Sequence, residues 1–68
     1  MTDIEKAENK IIRAYLDYFV LRYLCLPDED EITHIEWWLS MTMFRNATDQ
    51  ARNRREKVMR EYIAKRGR

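Results

Sequence analysis

His34 and Cys25 are the only histidine and cysteine in the 68-residue chain. Asp30 and Glu31 lie one helical turn before His34, and Trp38 one turn after it. Two or three of these groups could touch a metal, but zinc asks for four ligands with supporting hydrogen bonds. His34 is therefore read as a surface imidazole beside carboxylates. Cys25 sits in an apolar run and reads as a packed thiol, with no motif that would set an oriented base beside it. The acids Asp28, Glu29, Asp30 and Glu31 lack the glycine turn and alternating ligands of a calcium loop. Helix capping accounts for all four. The single glycine, Gly67, excludes a phosphate-cradling loop. No catalytic constellation, metal site or cofactor site is expected, and the chain is read as a non-enzyme.

Binding chemistry is better represented. Residues 45–68 hold nine basic side chains, seven of them Arg, against three acids. Arginine favours bidentate contacts with carboxylate or phosphate. Arg52, Arg54, Arg55 and Arg60 are the residues that would contact nucleic acid. Against that alternative, the basic residues surround the helix axis. Glu56 with Arg60, and Glu61 with Lys65, have the spacing of ordinary stabilising pairs. Asn53 could read a base edge, but no helix-turn-helix signature accompanies it.

Two charges interrupt the apolar run 14–26. Arg13 is placed to pair with Asp17. Arg22 is placed to stack on Tyr18, meet an acid of a partner chain, or carry its head to water. Trp37 and Trp38 are about 100° apart on a helix and cannot both face one core. Trp38, nearer Ile35 and Leu39, is expected in the core, and Trp37 at an interface.

These side chains need helices to position them. Thr2 and Glu5 have capping-box spacing. Ile4, Ala7, Ile11, Ala14, Tyr18, Leu21 and Cys25 then repeat at three and four residues, as on an amphipathic helix that Pro27 ends. Asp28 and Glu31 open a second helix, with Ile32, Ile35, Leu39 and Met43 on one face and Trp37, Met41 and Phe44 on another. The later stripe of Phe44, Ala47, Ala51, Val58 and Tyr62 is out of phase with the first of these faces. That predicts a break near residues 46–48, with Thr48 capping a third helix, unless the second runs on. Lys65, Arg66 and Arg68 suit its C-terminal end, which Gly67 closes. The expected fold is all-α: two long helices, or three at about 3–26, 29–46 and 48–66.

Composition agrees. One Gly, one Pro and 46% apolar residues exclude collagen-like, turn-rich β and disordered chains. The net charge of +1 conceals an acidic, apolar part (1–44, net −5) and a basic part (45–68, net +6) of one small domain, 1–68. The run 14–26 is too short and too charged for a bilayer span. Met1 is followed by acids rather than by a secretory leader, and a lone thiol suits a reducing compartment, so the expected location is cytoplasmic. A helix apolar all round must be covered all round, and domains this small struggle to supply a core alone. The expectation is a non-catalytic interaction or regulatory protein working as a homodimer, its opposed charges favouring antiparallel contact between copies. Tyr15, Tyr18, Phe19, Arg22, Tyr23, Trp37, Met41 and Phe44 form the expected interface. A groove for a protein partner's helix is a third alternative.

Overall fold

The computed structural model describes residues 2–67, so Arg68, expected at the last helix's end, lies outside the described residues. The chain is all-helical. α1 is Asp3–Tyr23, α2 is Glu29–Leu39, a π-helical turn follows over Ser40–Phe44, and α3 is Asp49–Arg66. Among the described residues there is no strand.

The N-terminal signals act as their residue types dictate. The Thr2 N–H donates to Glu5 Oε1 at 3.0 Å, and the Glu5 N–H to Thr2 Oγ1 at 3.1 Å. The Thr2 backbone N–H, then its hydroxyl, then the charge of Arg54 hold the Glu5 carboxyl below its ordinary range. Asp28 and Glu31 form the same reciprocal box at 3.1 and 2.8 Å. Thr48 caps α3 by accepting the Ala51 N–H at 3.3 Å, and Asn46 Oδ1 accepts the Thr48 hydroxyl at 3.0 Å.

The endings differ from expectation. α1 stops at Tyr23, not at Pro27, because Leu24 turns left-handed (φ 59°). A left-handed residue reverses the chain sooner than proline's steric exclusion would, and brings α2 back along α1. The second element is α-helical only to Leu39. Bonding to the fifth residue widens the next turn. The position that reaches the core after Leu39 therefore shifts from Met43 to Phe44: Met43 is exposed, while Phe44 packs on the core. Left-handed Arg45 (φ 54°) then ends the turn, at the break the phase change predicts.

The core is small. Ile12, Leu16 and Phe19 of α1 meet Ile32, Ile35 and Leu39 of α2 and Met59 of α3, ringed by Tyr15, Phe44, Val58, Tyr62 and Ile63. α3 packs on both α1 and α2. The apolar stripe read from α1 is not this face: Ile4, Ala7, Ile11, Ala14, Tyr18, Leu21 and Cys25 are all exposed. α1 has two apolar faces, and the aliphatic and aromatic one between Ile12 and Phe19 is where α2 and α3 dock. No described helix is long and apolar enough to cross a membrane.

Candidate functional site: a charged interior and an uncovered helix face

The opposed charges of the sequence meet inside one chain. Arg55 and Glu36 are both 0% exposed. Arg55 projects from α3 at the midpoint of the stripe Ala51–Arg55–Met59, and Glu36 from α2 beside Ile32, Ile35 and Leu39. One Arg55 nitrogen, Nη1, donates to Ser40 Oγ at 2.8 Å and to the Asn46 carbonyl, and lies 3.8 Å from Glu36 Oε1. The other, Nη2, reaches Glu8 Oε2 at 3.2 Å. The Ser40 hydroxyl donates to Glu36, and Arg52 Nε to the second Glu36 oxygen at 3.0 Å. Arg54 bridges Glu5 (2.8 Å) and Glu8 on α1. The Phe44 ring closes the cluster, its centroid 4.6 Å from the Arg55 guanidinium carbon. Two carboxylates buried with several guanidiniums avoid the cost that either sign would meet alone. The π turn is what places Ser40 and Phe44 at the cluster together.

All four arginines assigned to nucleic acid are thus engaged by carboxylates. Arg52 holds Glu36, Arg54 holds Glu5 and Glu8, Arg55 is interior, and Arg60 lies 3.3 Å from Glu29 on the surface. Arg55 cannot meet a phosphate in this fold, because its guanidinium has no path to solvent. Glu8, Glu36 and Ser40 went unread in the sequence. The available signal was one acid on the apolar face of α2 and one arginine on that of α3.

Other pairs also form across helices. Asp17 accepts from the Tyr62 hydroxyl and from Arg66 Nη2 (2.8 Å). The expected Arg13 pairing is replaced because α3 brings those two donors to Asp17. Burial first, then the hydrogen bond to Asp17, raises the Tyr62 phenol above its usual 10.0. A raised folded value means that the phenol's contribution is complete below pH 10 and is lost as pH rises beyond it. Tyr62→Phe should cost about 1 kcal/mol at neutral pH, modest because Asp17 is half exposed. The stability difference between wild type and variant should shrink above pH 10 in urea titrations. A difference constant from pH 7 to 11 contradicts the assignment.

The expected interface residues divide. Phe19 is buried in the core, and Tyr15 and Phe44 pack against it, because α2 and α3 cover that side of α1. Tyr18, Arg22, Tyr23, Trp37 and Met41 are exposed. Arg22 lies 5.8 Å from the Tyr23 ring centroid, not on Tyr18. Neither tryptophan is core: Trp37 is 51% and Trp38 42% exposed, the latter 6.1 Å from Tyr15 between ring centroids. Cys25 is exposed rather than packed, since α1 ends before reaching it.

His34 is exposed, with its ring 6.4 Å from that of Trp37. The described residues contain no group of three or more His, Cys, Asp or Glu side chains placed to hold a metal ion.

What remains in solvent is an apolar band. Ile4, Ala7, Ile11, Ala14, Tyr18 and Leu21 run along α1 for about 26 Å at 1.5 Å per residue, in a molecule whose longest extent is 29 Å. Tyr15, 6.4 Å from Tyr18, carries the band sideways to Trp38. No family model, curated protein or solved structure matches this chain.

Proposed function

We propose that the chain is a non-catalytic helical interaction or regulatory protein that works as a homodimer. The uncovered apolar face of α1 carries this reading. Scattered exposed apolar residues are ordinary, but a continuous band along a whole helix marks an association site. The surface area supports it: 5077 Å², against about 4,600 Å² expected of a compact monomer of this mass. Commitment of Arg52, Arg54, Arg55 and Arg60 to carboxylates supports a cohesive role for the basic helix over a nucleic-acid contact. A reducing, cytoplasmic setting fits a chain whose lone thiol is exposed. Light scattering at micromolar concentration should return twice the 8.4 kDa chain mass. A monomer up to the highest soluble concentration overturns the reading.

A further inference from the structure

We propose that the second copy docks antiparallel along the outer face of α1, in one specified register. This inference rests on the homodimer reading and supplies its geometry. The exposed residues Ile4, Ala7, Ile11, Ala14, Tyr18 and Leu21 are separated by three, four, three, four and three residues. That strict seven-residue repeat is the seam of a two-helix coiled coil, narrower than a globular core face and able to stay in register over α1's three heptads.

Side-chain size selects the direction. In the antiparallel register, Ile4 of one copy meets Leu21 of the second, Ala7 meets Tyr18, and Ile11 meets Ala14. Each alanine faces a larger residue, and the two ends close with branched aliphatic pairs. A parallel pairing would instead stack Ala7 on Ala7 and Ala14 on Ala14, leaving gaps, and force Tyr18 onto Tyr18. Interiors do not leave such voids unfilled.

Charge selects the same arrangement. Lys10 and Asp17 flank one edge of the seam, a heptad apart. Antiparallel docking sets Lys10 of each copy beside Asp17 of the other, twice by symmetry. Tyr62 and Arg66 both bond Asp17 Oδ1, so Oδ2 is the oxygen that meets Lys10. Such a pair fixes orientation more than strength. The opposite edge carries Tyr15 with Trp38 against it, so both copies bring an aromatic pair beside the middle of the seam.

The test uses the full chain. Ile11→Asp should weaken dimerisation by about 100-fold or more, because a carboxylate would enter the seam of each copy. Its helical circular dichroism should persist, since Ile11 lies outside the chain's own core. In a Cys25→Ser background, Ile4→Cys and Leu21→Cys chains should be joined by a short bismaleimide only when mixed. Coupling of Ile4→Cys with itself instead would overturn the antiparallel register. A dimer that survives Ile11→Asp overturns the seam while leaving the homodimer reading standing, and a monomeric wild type removes both. Monomers that bind anionic phospholipid vesicles through this face would assign it to a lipid surface and overturn the second copy as its occupant.

Discussion

Replacing Arg55 by methionine is expected to destabilise the chain by about 3–5 kcal/mol, because Glu8 and Glu36 would lose the cation buried between them. Domains of this length hold roughly 3–10 kcal/mol in total, so the variant should be largely unfolded or close to it. Arg52 stays on Glu36 and Arg54 on Glu8, but they compensate only in part. Both enter from the rim, and neither reaches the space between Ser40 and the Asn46 carbonyl that Arg55 fills. The burial itself is not the source of strength. Neutralising the centre as a set, with Glu8→Leu, Glu36→Met and Arg55→Met together, should recover most of the loss, since matched apolar side chains avoid the desolvation of ions. Urea unfolding followed by far-ultraviolet circular dichroism gives both numbers. An Arg55→Met chain within 1 kcal/mol of wild type would show that the cluster contributes no cohesion.

Two leucines on α1 give the second large contrast. Leu16 is fully buried and Leu21 is 78% exposed. Leu16→Ala should cost about 2–5 kcal/mol, by lost transfer energy and the cavity left among Ile12, Phe19 and the α2 side chains. With seven residues in the buried cluster, little can collapse inward to fill that space. The change should lower Tm by roughly 4–8 °C for each kcal/mol. Leu21→Ala should alter the stability of the single chain by no more than about 0.5 kcal/mol. Its effect should appear in association, where Leu21 ends the proposed seam. Equal losses for both variants at a concentration that keeps the chain monomeric would contradict the assignment of faces.

Much of the fold was legible in local chemistry. Thr2 with Glu5, Asp28 with Glu31, and Thr48 each place a side-chain acceptor where free backbone N–H groups need one, and all three helices begin there. The phase shift after Leu39 marked a real discontinuity, because apolar residues on one helix cannot face two directions and share a core. Helix ends were less legible. Leu24 and Arg45 stop their helices by turning left-handed, a conformation their residue types do not announce. Proline at residue 27 was the visible stop, yet the left-handed Leu24 ends the helix before the chain reaches it.

The site was harder to read for a related reason. Period and apolarity show that α1 has a stripe at Ile4, Ala7 and Ile11, but not which of two apolar faces the rest of the chain will take. Ile12, Leu16 and Phe19 prevail because α2 and α3 present Ile35, Leu39 and Met59 to them, and because Glu8 on that side finds Arg54 and Arg55. Charge counting has the same limit. An arginine's pattern on its own helix is identical whether its partner is a phosphate outside or a carboxylate inside.

By itself, then, the sequence determined capped helix starts at Thr2 and Asp28 and a phase change after Leu39, since each depends on residues within a few positions of one another, together with an acidic part opposed to a basic one. Whether the chain beyond Asp28 forms one helix or two was left to the structure, which breaks it before Thr48. Tertiary structure alone decided which face of α1 is buried, that the two charged parts meet within one chain at Arg55 and Glu36, and that the strict heptad of α1 is left in water. Those outcomes depend on contacts between residues up to 49 positions apart, whose formation is set by how helices pack rather than by what each helix contains.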